Sequence, residues 1–521
     1  MLALKLAIPV QYDSDNPAVE LNEKNVCRWL ENLPLFNFTE SVYSLLNNLK
    51  PLNEHFVSDK SRLRLLDFYR TPILKIIDAF ELQLLRQLPI DSQQREQLLT
   101  DSTALCLELA NGYKIIVKNG IEAQKNPAKD QILLMATFRA METLCTAAVH
   151  SFRLYKLPSK HVFLEIYQLY HFALSYKVSH IRVFRESNLT SIDQLFKSIL
   201  LLSIIDPYHL QEGDIFPILH FLSNCSHLCI LHDALPQDQD GIGLFGFYLD
   251  QDVTPKLVEH MQVTGEAPHL CILDVRAFLA TLLKQIRLNQ QKGVLDSQSL
   301  EHKILSRIVP NLAAIAQNRR TPRQDTALKV FVAIDVPAIH LFLSGQTEQL
   351  LEKNNPTDSG MEVLSINSDY ADMPIIETWE ITNESEHGYK LHQSSSLTQS
   401  VKVGDLVGIE NKKTENNPAM AIATIKWVKR HPESGVEIGV EKLCDQCEAV
   451  LCQLQGEEKL VPALLLDAAG KQHKPRLITT KNALTPDTYV EISTQQQHLR
   501  YKIQSYALDS KYFDVVNLIL V

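Results

Sequence analysis

The hydrophobic period of this chain changes once, near Arg323, and that change divides it into a mostly helical part and a β-structured part. Before the change, Leu63, Leu66, Tyr69, Ile73, Ile77, Phe80 and Leu84 recur at spacings of three and four, which stacks them on one helical face. Comparable patterns run through 98–116, 132–154, 162–176, 192–205, 278–288 and 304–315. Turn chemistry separates them at Asn119-Gly120, Asn126-Pro127, Leu157-Pro158-Ser159 and Asp206-Pro207. Pro72 either starts a new helix or kinks the one it lies in.

After Arg323 the period is two. Leu328, Val330, Val332 and Ile334 alternate as one face of a strand does. Further strands are expected at 375–382, 401–410, 421–428 and 436–443. A polar, acidic stretch at 346–372 is expected to begin as a short helix through Leu350 and continue as a loop. A last β-rich segment covers 460–466, 477–480, 489–493, 500–505 and 513–520, with a turn at Asp467-Ala468-Ala469-Gly470. It reads as a second small barrel or an extension of the first.

Composition narrows the class. A length of 521 residues allows two to four domains, and 45% hydrophobic with 21% charged residues argues against global disorder. The net charge of −10 disfavours binding along a nucleic-acid polymer but leaves room for a local site that takes one small anion. Nine cysteines, an odd number, do not read as a disulfide framework. The first ten residues lack a signal-peptide pattern, and apolar runs such as 199–205 fall short of the ~20 residues a membrane helix needs. A soluble, cytoplasmic protein without membrane insertion is the expectation.

Two short motifs carry the functional content. Arg319-Arg320-Thr321-Pro322-Arg323 is an R-x-x-x-R hinge at the change of period. Asn383-Glu384-Ser385-Glu386-His387-Gly388 is an N-x-S-x-x-G box at the end of an expected strand. Arginine forks onto phosphate oxygens and the O6/N7 edge of guanine, and its flat guanidinium stacks on bases. Asn383 and Ser385 offer short polar side chains, and a glycine at 388 lets the backbone turn or approach closely.

In this order, on a small-barrel background, the motifs resemble the PilZ family of cyclic di-GMP receptors. Val403-Gly404-Asp405, Ile425-Lys426-Trp427-Val428 and Gly435-Val436-Glu437-Ile438-Gly439-Val440 resemble that family's strand sequence as well. The resemblance covers about residues 319–443, roughly a quarter of the chain. It implies that Arg319, Arg323, Asn383, Ser385 and Gly388 bind cyclic di-GMP as a regulatory ligand, with no cofactor or metal. The 59 residues from 324 to 382 exceed the family's usual segment, so an acidic insertion near 346–372 is expected, positioned to oppose or gate an anion site.

Other motifs read more plainly. Gly241-Ile242-Gly243-Leu244-Phe245-Gly246 fits G-x-G-x-x-G, but a strand or loop follows where a dinucleotide fold needs a helix, so a glycine-rich hairpin is expected. Cys444-Asp445-Gln446-Cys447, with Cys452 nearby, lacks a second pair and reads as ordinary thiols. Cys225, His227, Cys229 and His232 are interspersed with Leu and Ile and read as packing residues. No hydrolase elbow, zinc-protease motif or P-loop occurs.

The sequence therefore reads as a multidomain α+β protein: a helical interaction region at 1–316, a PilZ-like barrel at 317–445 and a β-rich segment at 446–521. The function expected is that of a bacterial, non-enzymatic effector in which cyclic di-GMP changes the domain arrangement and so controls a protein partner held by the helical region. The competing reading is a helical scaffold whose degenerate barrel no longer binds nucleotide.

Overall fold

Short polar residues that precede the apolar periodic runs set where several helices begin. Asn22 Oδ1 accepts from the amides of Lys24 and Asn25 at 3.0 and 3.3 Å, Asp130 Oδ1 from that of Leu133 at 3.0 Å, and Ser191 Oγ from that of Gln194 at 3.2 Å. The computed structural model describes residues 4–13, 19–35, 37–85, 92–185, 188–236, 242–261, 269–291, 305, 308, 309, 312, 324–345, 376–394, 401–410, 419–431, 433–454, 460–466, 475–493 and 498–521. The chain divides into two units, Met1–Asn318 and Arg319–Val521.

The first unit begins with α1 (Glu23–Glu31), α2 (Phe38–Glu54), α3 (Asp59–Leu85), α4 (Ser92–Glu122), α5 (Gln131–Arg153) and α6 (Val162–Ser175). A hairpin of β1 (Val183–Arg185) and β2 (Asn188–Thr190) leads to α7 (Ile192–Ile204) and α8 (Ile215–Cys225). Pro72 lies inside α3, which runs on without a break, and Leu66, Tyr69, Ile73 and Ile77 of the expected face are buried. Helix α5 packs against α4, α6 and α7. Among the described residues it is the one helix long and apolar enough to cross a membrane, and 72% of its most apolar window is buried inside the fold. Within it Glu142 meets Arg139 at 2.8 Å and, from α3, Arg70 at 3.1 Å. Between α4 and α6, Lys114 and Glu165 form a second buried pair at 2.8 Å.

The helical reading of this region misses a sheet. Strands β3 (Ile230–His232), β4 (Leu244–Tyr248), β5 (Lys256–Leu257) and β6 (Leu270–Asp274) pair antiparallel in the order β3-β6-β4-β5, and α9 (Arg276–Gln291) follows. Their apolar runs span two to five residues, too short to show a period. Gly243, at φ +75°, turns the chain directly into β4, so the glycine-rich motif opens a strand. Cys229 is buried in the core, and burial pushes its thiol up to about 12, as a packing role requires. Leu305, Ile308, Val309 and Leu312, helical where described, join the same core.

The second unit holds two closed six-stranded barrels. The first comprises β7 (Gln324–Ile334), β8 (Ile376–Ser385), β9 (Gly388–Gln393), β10 (Leu406–Glu410), β11 (Met420–His431) and β12 (Gly435–Cys444). The second comprises β13 (Glu448–Leu454), β14 (Leu460–Leu466), β15 (Arg476–Thr480), β16 (Tyr489–Ser493), β17 (His498–Asp509) and β18 (Phe513–Leu520). Between β7 and β8 lies a helix that the period reading does not contain, α10 (Val336–Leu343). Asp335 caps it through the Ala338 amide at 3.1 Å, and Gly345, at φ +72°, follows its end. It packs on β7 and β10 and on β13, β14 and β15, so Ile339 and Val336 share one core with Leu464, Ile478 and Phe513. The helix expected through Leu350 and the acidic loop lie outside the described residues.

Three strand expectations change. Leu328 is 44% exposed although Val330, Val332 and Ile334 are buried; it is the first regularly paired residue after the register shift between Asp325 and Leu328. Strand β10 starts only at Leu406; before it Gly404, at φ +98°, makes a turn held by the Asp405 carboxylate on the Lys402 amide at 2.8 Å. Strands β9 and β13 were not expected.

Candidate functional site

Only Glu386 and His387 separate Ser385 from Gly388, so the polar box is the tip of the tight β8–β9 hairpin. Asp325 and Asn383 are register partners on β7 and β8, and Asn383 Nδ2 donates to Asp325 Oδ1 at 2.9 Å. A carboxylate accepts only, so it fixes which end of the amide faces it. Ser385 Oγ donates to the Gly388 carbonyl at 3.1 Å, closing the tip. A Cβ on Gly388 would sit 2.1 Å from the Val440 carbonyl oxygen of β12. Glycine at this position lets β9 approach β12, and the Lys442 amide bonds the His387 carbonyl at 2.8 Å across the same seam.

The outer face beside the hairpin runs in register across four strands. Asn383 pairs with Lys390, Lys390 with Gly439, and Gly439 with Trp427. One row over, Ser385 pairs with Gly388, Gly388 with Glu441, and Glu441 with Thr424. Gly439 is as constrained as Gly388, since a Cβ there would sit 1.9 Å from Trp427 Nε1, which places the indole across the glycine. Burial alone would raise the Glu437 carboxyl, but Lys390 at 2.7 Å and His431 at 3.6 Å hold it below its ordinary range. Glu441 pairs with Lys426 at 2.7 Å. Carboxylates on this face therefore carry cations.

The box residues Asn383, Ser385 and Gly388 are thus brought together on one hairpin. Arg319 and Arg323 lie outside the described residues; Arg323 immediately precedes Gln324, the first residue of β7, which pairs with Glu384. Trp427 escapes the sequence reading although a signal exists. Buried Ile425 and Val428 are three apart where a strand needs two, which marks the register shift between Ile425 and Trp427 that turns the indole outward. Among the described residues no three of His, Cys, Asp and Glu gather as a metal site.

Residues 347–449, from within the β7–β8 connection to the start of β13, match the family described as cyclic-di-GMP receptor FimW, middle PilZ domain. The first barrel is a PilZ domain. Residues 24–237, which hold α1 to α8, match the N-terminal domain of the same receptor. Over 540 positions the chain is 21% identical to the cyclic-di-GMP receptor FimW of Pseudomonas aeruginosa, covering 92% of this chain and 87% of that protein. The likeness extends well beyond the PilZ barrel, across the helices and into the second barrel.

Proposed function

We propose that this chain is a bacterial, cytoplasmic cyclic di-GMP receptor that binds the dinucleotide with Arg319 and Arg323 of the hinge and Asn383, Ser385 and Gly388 of the PilZ hairpin. The observation that carries the reading is the convergence of the box residues on the β8–β9 tip beside the first residue of β7. Arg323 is one peptide from Gln324, so its Cα lies ~3.8 Å from the strand that pairs with the box, and Arg319 is tethered within ~18 Å. Asn383 spends its amide N–H on Asp325, which leaves Oδ1 to accept from a guanine N–H, and Ser385 keeps lone pairs to accept. The arginines supply the charge-assisted bonds to phosphate and base. Gly388 serves the site by allowing the strand approach that holds the tip in place.

Wrapping of the hinge fixes the relation of the helical region to the barrel, and through it the access of a protein partner to the helices. Binding, without catalysis, is the whole of the activity. The competing reading, a barrel without nucleotide, draws on the intraprotein partners that Asn383 and Ser385 already have. Calorimetric titration of the full-length protein decides between them: saturable heat with cyclic di-GMP, absent with GMP, is expected, and no heat in either titration removes the receptor reading. Trypsin cleavage after Arg319, Arg320 or Arg323 should slow at saturating nucleotide. Equal cleavage with and without nucleotide would remove hinge ordering while leaving binding intact.

A further inference from the structure

We propose that the face of α6 beside α4 is a groove for an extended peptide segment of a partner protein, occupied in this structure by the chain's own residues 4–13. That stretch forms no helix and no strand beyond one bridge between Tyr12 and His55. Leu4, Leu6 and Ile8 are half-buried while Lys5 and Ala7 between them are exposed, the alternation of an extended chain. Leu4 and Leu6 pack on the helical core. The backbone amides of Lys5 and Ala7 donate to side chains of α6, the first to Gln168 Oε1 and the second to Glu165 Oε1 at 2.8 Å. Residues three apart lie on one helix face, so Glu165 and Gln168 are a pair of acceptors aligned for alternate N–H groups. Bonds to the backbone, with pockets for every second side chain, recognise an extended segment by its pattern.

Two features make the occupant replaceable. Both oxygens of Glu165 are 2.8 Å from Lys114 Nζ, so the carboxylate keeps its counter-charge when the segment leaves, and Gln168 returns to water. The far half is held through its backbone. The Tyr12 amide donates to the Glu54 carbonyl at 2.7 Å and the Phe56 amide to the Tyr12 carbonyl at 3.2 Å, while Val10 and Tyr12 are 67% and 61% exposed. A tethered segment acts at an effective concentration on the order of millimolar, so it screens the groove from weak ligands and yields to one that fits better. The partner's segment carries apolar side chains at every second position and no proline between them, since proline has no N–H to donate. None of these contacts involves the residues assigned to the nucleotide.

The test uses full-length protein and a fluorescein-labelled synthetic peptide with the sequence of residues 4–13. Leu4→Asp combined with Leu6→Asp sets two carboxylates against the apolar core and releases the segment, leaving Lys114, Glu165 and Gln168 intact. By fluorescence anisotropy this variant should bind the peptide saturably, at least about tenfold more tightly than wild type, whose groove is filled. Methylating the peptide's amide nitrogens at Lys5 and Ala7 removes both donors and should weaken binding about tenfold or more. No saturable binding to a variant that melts like wild type overturns the groove. Equal binding of the methylated peptide also overturns it, because apolar adhesion alone would then explain the signal. A wild-type dimer that dissociates in the variant would assign the groove to a second copy's segment and remove the separate partner. Amide exchange in wild type needs no variant: Lys5 and Ala7 amides that exchange well before those of α4 and α6 uphold a displaceable segment, and exchange only on global unfolding overturns it.

Discussion

The two barrels share one topology and differ in what fills it. Numbered within each barrel, the strands close in the order one-two-three-six-five-four in both. Even an irregularity recurs: the fifth strand shifts register between Ile425 and Trp427 in the PilZ barrel and between Ile503 and Ser505 in its neighbour. The residues placed there diverge. The PilZ barrel puts Lys390, Gly439 and Trp427 in one row, whereas the second barrel puts Arg476, Asn517 and Ser505 in the matching row. Asn517 Nδ2 donates to Ser505 Oγ at 3.1 Å, so a hydrogen bond occupies the place of an indole on a glycine. Glycines sit in β9, β10 and β12 but in none of β13 to β18. Pairing order and bulge position thus recur in both barrels, and a few small or polar residues on one face distinguish them.

The largest expected contrast is in nucleotide affinity. Replacing both Arg319 and Arg323 by alanine should weaken cyclic di-GMP binding by at least about 100-fold, since each charge-assisted contact contributes ~1.5–3 kcal/mol. The matched pair Arg476→Ala and Arg500→Ala on the second barrel should leave the calorimetric affinity unchanged. Equal losses from the two pairs would erase the functional distinction between the barrels.

Stability offers the next contrast. Gly388→Val drives a side chain against the Val440 carbonyl and should destabilise the PilZ barrel by about 1–3 kcal/mol or more. Asn517→Ala removes a single exposed hydrogen bond and should cost no more than ~1 kcal/mol. Urea titration followed by circular dichroism measures both, and a silent Gly388→Val would show that β9 does not need its close approach to β12.

A smaller effect tests what joins the barrels. Burial holds the His340 imidazole on α10 below its ordinary 6.5, against the opposing bond to the Val450 backbone. The unfolded chain therefore binds the proton first, so stability is full above pH 6.5 and declines as pH falls below it. His340→Leu should flatten that slope in urea midpoints taken from pH 7.5 to 5.5. An unchanged slope would place the pH response elsewhere.

The smallest effect belongs to the PilZ face alone. Glu437 is held below its ordinary 4.5, so the stability it adds is present above pH 4.5 and is lost as pH falls through its lowered value. The group is partly exposed and screened, which limits the loss to under ~1 kcal/mol. Glu437→Gln should remove this acid-side decline, and salt should shrink it in wild type.

Local chemistry in the sequence determined the change of period at Arg323, the caps at Asn22, Asp130 and Ser191, most barrel strands and the turn-forming character of the N-x-S-x-x-G box. Helix α10 has its own local signals, Asp335 before it and Ser344-Gly345 after it, but at eight residues it is too short to show a helical period beside the alternation of β7. Strand β9 was hidden because Leu391 is its one buried apolar residue, and β13 because buried Cys452 serves as an apolar residue where a thiol suggests chemistry. What tertiary structure alone decided is non-local. The need for glycine at 388 comes from the Val440 carbonyl 52 residues later in the chain, and the outward turn of Trp427 onto Gly439 comes from a bulge in the pairing of β11 with β12. A period records which face of a strand is buried; it carries no record of which strand comes to lie against it.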